Sequence, residues 1–292
     1  MVSLELLSSL DGLIWLQSGN KVGEIFHQHQ TTVSRNLKKC SETFGLHVQK
    51  CGGSWIVEGD YELLNLERAV HQSARFQGKS PLRLEANAWI NSILCSPPPA
   101  GWVTGTNPDH RSKPQQSLQL LHENIIDACL CPSLEAPRKN KELRVIDLCE
   151  TPIQLFVSAN HPLLASTNIS IEQLKHYPFQ RSLQRSQPGI VEKLKAINAW
   201  TSQHDNECKP ALEQINQDGV DLTLYLNDSL AKGPETSNLV PLPLSLNAKT
   251  GISLVFKHCF DKHSRTRSLC GTLKKRLRQH QTADLSLQIL DY

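Results

Sequence analysis

Residues 22–40 read VGEIFHQHQTTVSRNLKKC, and this segment carries the clearest pattern in the chain. The apolar residues Val33, Leu37 and Cys40 recur at helical spacing, which places them on one side of a predicted helix. The other side carries one amide, two hydroxyls and two cations, from Gln30, Thr31, Ser34, Arg35 and Lys38. Such groups hydrogen-bond base edges or pair with phosphates in a DNA major groove. Together with a short predicted helix over residues 21–28, the segment is typical of a helix-turn-helix.

The neighbouring sequence extends this pattern on both sides. An N-terminal helix is predicted over residues 4–17, with Asn20 as the N-cap of the next helix, and Gly45 is predicted to end the third helix. Residues 46–50 and 54–57 form two short runs on either side of Gly52-Gly53, which predicts a β-hairpin, or wing. A long helix follows over residues 60–77. Its apolar stripe suits helix–helix pairing and consists of Leu63, Leu66, Val70 and Ala74.

The remainder of the chain alternates predicted strands with predicted helices. The strands are expected over residues 82–86, 125–131, 143–146, 153–157, 220–226 and 252–256. The helices are expected over residues 115–123, 189–203 and 264–280, and residues 96–114 are expected to form an irregular, proline-rich loop. This alternation predicts an α/β domain with a largely parallel sheet.

Composition and charge limit the class of protein. The 292 residues suffice for two or three domains, and the net charge of +3 does not by itself indicate a nucleic-acid partner. The charge is unevenly placed, because residues 255–280 carry eight Lys or Arg and one Asp. The structural interpretation of that stretch, which we prefer, is a solvated helix face over buried Leu269, Leu273 and Leu277, and the alternative is direct DNA contact.

The cysteine pattern and the N-terminus bear on the compartment. The nine cysteines include no CxxC pair, which argues against a zinc ribbon or a redox motif. No apolar run approaches the ~20 residues that span a bilayer. The N-terminus lacks the pattern of a signal peptide, so we expect a reduced, cytoplasmic protein.

Catalytic and metal-binding motifs are absent from the sequence. It contains no G-x-S-x-G, P-loop, G-x-G-x-x-G or H-E-x-x-H motif, so no enzyme activity, metal or other cofactor is predicted. His27 and His29 are two residues apart and do not share a helix face. Asp127 follows an apolar run and is either a catalytic acid or, as we prefer, a capping or bridging carboxylate.

The N-terminal block resembles the DNA-binding domain of LysR-type transcriptional regulators, a bacterial family. The matching positions are Val22, Gly23, Phe26, Gln30, Thr32, Val33, Ser34, Arg35, Leu37, Phe44 and Gly45. The weaker likeness of residues 121–128, 155–163 and 169–178 to segments of the family's effector domain extends the resemblance over most of the chain. Several positions depart from the family pattern. His29 stands at the usual capping serine, Cys51 at the usual wing arginine, and Glu58-Gly59 at the start of the linker helix.

The resemblance implies a fold with three parts. Residues 1–58 would form an all-α winged helix-turn-helix, and residues 59–79 a linker helix for dimerisation. Residues 80–292 would form an α/β effector domain, similar to periplasmic binding proteins. Its first subdomain would cover about 80–156 and 263–292, and its second about 157–262, so that the chain crosses between them twice.

The implied function is DNA-binding transcription regulation under the control of a small-molecule effector, as a homodimer or homotetramer, with RNA polymerase as a further candidate partner. The candidate DNA-binding residues are Gln30, Thr31, Thr32, Ser34, Arg35, Lys38, Lys39 and Gly53. The candidate effector-binding residues, placed at predicted strand ends, are Asn87, Trp89, Ser92, Ser182 and Thr223. The alternatives are a regulator whose effector site has degenerated, suggested by the short proline-rich stretch before Ile125, a solute-binding protein, and an α/β enzyme with a regulatory N-terminal domain.

Overall fold

A computed structural model describes residues 2–52, 54–105, 114–166, 168–180, 187–201, 204, 219–227, 239–281 and 286–291. The helices are α1 (Leu4–Leu16), α2 (Gly19–Phe26), α3 (Gln30–Phe44), α4 (Glu62–Phe76), α5 (Ala88–Leu94), α6 (Pro114–His122), α7 (Ile171–Leu174), α8 (Pro188–Ala196) and α9 (Ser264–Gln281). The strands are β1 (His47–Cys51), β2 (Ser54–Glu58), β3 (Leu82–Ala86), β4 (Trp102–Gly105), β5 (Ala128–Pro132), β6 (Leu143–Pro152), β7 (Gln154–Ser158), β8 (Tyr225–Asn227), β9 (Leu239–Pro241), β10 (Lys249–Lys257) and β11 (Gln288–Ile289).

The predicted helix-turn-helix and wing are present. The helix α3 ends where Gly45 adopts a left-handed φ of 64°, as predicted. Strands β1 and β2 pair antiparallel from His47↔Glu58 to Cys51↔Ser54, which confirms the hairpin. The prediction of Asn20 as an N-cap is wrong. The cap of α2 is Ser18, whose extended backbone lets its hydroxyl accept a hydrogen bond from the Lys21 amide.

The chain forms two compact units. The first comprises Met1–Cys131, Arg138–Val145 and Leu254–Leu273, and the second Pro132–Pro137, Ile146–Ser253 and Lys274–Tyr292. The strands β6 and β10 each run from one unit into the other. The domain limits given above, which the family resemblance implies, stay a prediction.

The first unit has two apolar cores. One lies between α1, α3, the wing and α4 and contains Leu10, Cys40 and Leu64. The other joins the N-terminal helices to the effector region, because Trp15 and Val22 pack in the same cluster as Leu121 and Ile126.

The effector-region sheet has the strand order β11-β6-β10-β5-β3-β4, and β3 pairs parallel with both β4 and β5. The expectation of an irregular loop over 96–114 is wrong in part, because β4 lies within it. Trp102 there is 6% exposed and pairs with Leu82. The strand predicted from Ile125 begins at Ala128, since Asn124 turns the chain out of α6 with a φ of 60°.

The second unit contains the antiparallel sheet β8-β7-β9, where the prediction was of largely parallel strands. Its core includes Leu155, Leu174, Phe179, Leu194 and Trp200. The helix α8 ends at Ala196, short of the predicted residue 203, and β8 begins at Tyr225 rather than near residue 220.

In the described part of the chain, no helix has the length and apolar character needed to cross a bilayer.

Candidate nucleic-acid interface

The outer face of α3 is exposed along its length. The exposed predicted residues on this helix are Gln30, Thr31, Ser34, Arg35, Lys38 and Lys39, and Thr32 is half-buried. The inner face is fixed, since Val33 is 3% and Cys40 0% exposed. Burial raises the pKa of the Cys40 thiol to about 12, so that cysteine acts as an apolar residue. The helix thus presents its hydrogen-bonding groups to solvent and its apolar groups to the core.

The cations on this face remain available for phosphates. The ammonium of Lys38 lies 3.9 Å from the carboxylate of Glu42, and both side chains are mostly exposed. An exposed pair of this kind contributes about 0–1 kcal/mol, so a DNA phosphate can compete for the lysine. Arg35 and Lys39 lie on the same exposed side of the helix.

The start of α3 lacks a side-chain cap. His29 occupies the N-cap position and makes no side-chain hydrogen bond there, although its carbonyl oxygen accepts from the amides of Thr32 and Val33. The departure from the family pattern at His29 therefore has a structural counterpart: the capping hydroxyl is replaced by a ring that does not cap.

The wing carries one cation that sequence reasoning missed. Cys51 is exposed on β1, and Lys50 is exposed beside it. Lys50 supplies a positive charge next to the position where the resemblance implies an arginine. Lys50 lies one residue before Cys51, and this proximity is the signal in the sequence that could have identified it. Gly53 lies outside the described residues.

The helix α4 has two different faces. One face carries the predicted stripe and is exposed, with Leu63 at 66%, Leu66 at 61% and Val70 at 50%, and Ala74 is half-buried. The other face is buried and mixes apolar with polar and charged side chains, namely Leu64, Arg68, His71, Gln72, Arg75 and Phe76. An apolar stripe that the chain's own residues leave uncovered favours contact with another molecule.

Asp11 of α1 joins two arginines from elsewhere in the first unit. Its Oδ1 lies 2.9 Å from Nε of Arg68 on α4, and its Oδ2 lies 3.1 Å from Nη1 of Arg83 on β3. All three side chains are at most 2% exposed. Burial and the nearby Arg75 lower the pKa of Arg83 to about 10, against the opposing effect of Asp11 and Asp127. The guanidinium still carries its charge near neutral pH. Sequence reasoning missed this cluster.

Asp127 is a bridging carboxylate, which was the preferred interpretation. Its oxygens accept hydrogen bonds from Nε of Arg75 at 2.8 Å, from Nε2 of Gln72 at 3.1 Å and from the amide of Arg83 at 2.8 Å. The side chain is fully buried. Because its oxygens are occupied by these donors, the arrangement does not support a catalytic acid.

The candidate effector residues fall in both units. Asn87 caps α5 by accepting from the amide of Ile90 at 3.0 Å, and the hydroxyl of Ser92 donates to the carbonyl of Trp89 at 2.8 Å. These three residues therefore lie on one short element at the end of β3. Thr223 is 4% exposed in the second unit, and Ser182 lies outside the described residues.

The basic C-terminal stretch forms the helix α9. Leu269, Leu273 and Leu277 are at most 1% exposed, as predicted for a solvated helix over a buried apolar side. Arg265 near its start donates to the carbonyl oxygens of Arg75 and Gly101. Where the structure describes the chain, no cluster of three or more His, Cys, Asp or Glu has the arrangement of a metal site.

Comparison with known proteins agrees with this architecture. Residues 110–213 match the family model of the LysR substrate binding domain. No curated protein matches the chain.

Solved structures share the fold. A full-length OxyR variant from Pseudomonas aeruginosa superposes with a TM-score of 0.50 at 14% identity, covering 94% of this chain and 95% of that chain. An H2O2-bound OxyR mutant from Corynebacterium glutamicum gives 0.50 at 13% identity, covering 97% of both chains. A reduced OxyR from N. meningitidis gives 0.50 at 10% identity, covering 73% of this chain and 100% of that one. The resemblance to LysR-type regulators is thereby confirmed for the fold and for the substrate binding domain.

Proposed function

We infer that this chain is a LysR-type transcription regulator that binds double-stranded DNA with α3. The observation that carries the inference is the outer face of α3, where exposed amide, hydroxyl and cationic groups stand opposite a packed apolar side. This is how a helix-turn-helix presents its second helix to the major groove. A solute-binding protein would have no use for that face, and an α/β enzyme would need a catalytic group that Asp127 does not supply. A role on the chromosome implies a cytoplasmic location.

The chemistry of each side chain suggests its contact. Arg35 and Lys38 are suited to phosphates or to guanine, and Lys39 to phosphates. Gln30 and Thr31 stand at the start of the helix, where base edges are reached, and Ser34 lies one turn further on. The side chain of Thr32 is half-buried, so its hydroxyl is less accessible to DNA than those of Thr31 and Ser34. In the wing, Gly53 would let the backbone approach the DNA closely.

The exposed stripe on α4 supports a homodimer. The α4 helix of a second chain would pair with Leu63, Leu66, Val70 and Ala74, and it would cover side chains that are exposed to solvent in the single chain. Two helix-turn-helix domains joined in this way would reach half-sites about 34 Å apart, or a multiple of that distance, on a partly palindromic operator. Two such dimers would form a homotetramer, and RNA polymerase is a further candidate partner.

A small-molecule effector would act by population shift. A ligand bound in the effector domain would favour one arrangement of the subunits and so change the spacing of the two helix-turn-helix domains. The second candidate is a regulator whose effector site has degenerated. It is favoured by the hydrogen bonds that Asn87 and Ser92 make within α5, where one acceptor position of Asn87 and the proton of Ser92 serve the helix itself.

Selection of DNA by the purified chain tests the proposed function. Fragments that the chain retains from a random-sequence duplex library are sequenced after several rounds. We expect a shared, partly palindromic motif, because two related heads read the two half-sites. Retained fragments without any shared motif would contradict sequence-specific regulation.

A further inference from the structure

A chain of hydrogen bonds connects α3 to α1 on the side away from solvent. The amide nitrogen Nδ2 of Asn36 donates to Oγ of Ser9 at 2.9 Å, and the Ser9 hydroxyl lies 2.6 Å from Oε1 of Gln28. The Nε2 of Gln28 donates to the carbonyl oxygen of Glu5 at 3.2 Å. Three side chains from α1, from the turn before α3 and from α3 itself thus meet at one oxygen.

The shortest contact in this chain sets the roles of its groups. The Ser9 hydroxyl also lies 3.2 Å from the carbonyl oxygen of Glu5, but its single proton takes the shorter contact to Gln28, so Asn36 approaches the same oxygen with its NH2 group. The NH2 group of Gln28 then faces a carbonyl oxygen, which can only accept. Ser9 is 0% exposed, so water does not compete for these bonds at its hydroxyl.

The backbone of Gln28 is held as well. Its amide donates to the carbonyl oxygen of Gly23 at 2.9 Å. A Cβ atom at position 23 would lie 2.6 Å from the carbonyl oxygen of Gln28, so this close approach requires glycine. Gln28 is therefore fixed through both its backbone and its side chain, immediately before the uncapped start of α3.

These ties decide the rotation of α3 about its own axis. The apolar contacts of Val33 are non-directional and tolerate a small rotation or slide, and the thiol of Cys40 adds only a weak hydrogen bond to the carbonyl oxygen of Leu6 at 3.5 Å. Hydrogen bonds are directional, and here they hold the helix both at its start and about two turns further along, at Asn36. Arg35 is the neighbour of Asn36, so a rotation that breaks the bond to Ser9 also moves the arginine.

We propose that Ser9, Gln28 and Asn36 are positioning residues that set the sequence specificity of DNA binding by fixing the rotation of α3. The proposal rests on the proposed function. A binding site needs its contact groups held to within about 0.5 Å and 10–20° by supporting hydrogen bonds. Ser9 cannot touch DNA itself, because its side chain is fully buried.

The test compares Ser9→Ala, Asn36→Ala and the double variant with the unaltered chain. Affinity is measured for the duplex that the unaltered chain selects from a random-sequence library and for a scrambled duplex of equal length. In each single variant we expect affinity for the selected duplex to fall about tenfold and affinity for the scrambled duplex to stay within about twofold. The double variant should lose no more than a single one, since both changes break the same bond. The salt dependence should not change, because every cation that faces a phosphate is kept.

Ser41→Ala is the matched control. Its hydroxyl also lies on α3 but donates to the carbonyl of Leu37 at 3.0 Å within the same helix, so the ratio of the two affinities should not change. Should Ser9→Ala fail to fold, Gln28→Ala removes the next link at a half-buried position. If the ratio of the two affinities is unchanged in the folded variants, whether neither affinity falls or both fall equally, the positioning role is wrong. A chain that selects no motif would instead refute the proposed function.

Discussion

Asp11 and Arg83 are 72 positions apart in the sequence, yet Oδ2 of Asp11 lies 3.1 Å from Nη1 of Arg83 in the interior of the first unit. The other oxygen of the same carboxylate binds Arg68 on α4. One side chain thus connects the N-terminal helix, the helix α4 and the strand β3. The helix α3 packs on that same N-terminal helix, which connects it to β3 by packing and by charge.

Replacing Asp11 by Asn should destabilise the first unit by about 3–5 kcal/mol, because two buried guanidinium groups would lose their common counter-charge. Denaturant titration of the full chain measures the loss. The control is Glu172→Gln, which removes an ion pair of similar length, 2.7 Å, at a far more exposed carboxylate. That variant should lose only about 0–1 kcal/mol. Equal losses of unfolding free energy in the two variants would show that the buried cluster stabilises the fold no more than an exposed ion pair does.

Removing a cation from α3 should weaken DNA binding in a salt-dependent way. For Arg35→Ala or Lys38→Ala we expect lower affinity and a salt slope reduced by about 0.9 for each phosphate that is no longer neutralised. Binding titrations at several salt concentrations provide both numbers. Lys193→Ala, which removes an exposed cation from α8 in the second unit, should leave affinity and slope as they are. Two α3 variants that behave like this control would refute the assignment of the face.

Charges placed in the exposed stripe of α4 should prevent association. Leu66 and Val70 are at least half exposed in the single chain, so Leu66→Asp with Val70→Asp should leave the fold intact and lower the mass seen in analytical ultracentrifugation. Val240 on β9 is 36% exposed and lies outside the stripe, which makes Val240→Asp the matched control. The proposed dimer interface is wrong if the double variant keeps the mass of the unaltered chain.

The second unit should lose stability in mild acid through His161. Its Nδ1 accepts from the amide of Leu163 at 3.1 Å and its Nε2 lies 3.1 Å from the carbonyl of Leu222, so the ring is neutral. Burial lowers the pKa of His161 below its ordinary 6.5, against opposing effects of the Leu222 carbonyl and of Asp221. The unfolded chain therefore takes up a proton that the folded chain resists. The stability that the neutral ring provides is complete above about pH 6.5 and decreases as the pH falls below that value.

Unfolding measured at about pH 7.5 and about pH 5 tests this linkage. The variant His161→Asn cannot take up the proton, so the difference between the two conditions should be smaller than in the unaltered chain. An identical pH dependence in both proteins would exclude His161 as a contributor.

Much of the helix-turn-helix and the wing could be predicted because their sequence pattern is local. The spacing of Val33, Leu37 and Cys40 and the glycines at 45 and 52 determine helix, cap and turn within a few residues of themselves. The strand β4 was not predictable in the same way. Its four residues follow a proline-rich stretch, and they form a strand only because β3 offers them a partner.

The buried charges show a different limit. Arginine is mostly found on protein surfaces, and the neighbouring sequence does not indicate burial for Arg68, Arg75 or Arg83. Arg83 lies 44 positions from Asp127 and 72 positions from Asp11, so these contacts depend on tertiary structure. The stripe on α4 was predicted correctly as apolar. Whether the chain itself or a second molecule covers it is a question that periodicity alone does not answer.

The shared carboxylate of Asp11 also constrains how this protein can be engineered or diverge. A chimera that exchanges residues 1–58 for the head of a relative would bring a foreign α1 against Arg68 and Arg83. Unless that helix carries an acid at the matching position, the hybrid would leave Arg83 without its carboxylate partner and Arg68 with Glu123 alone, and it would lose stability at the join. Among homologues, an aspartate at this position and the two arginines should accordingly be gained and lost together.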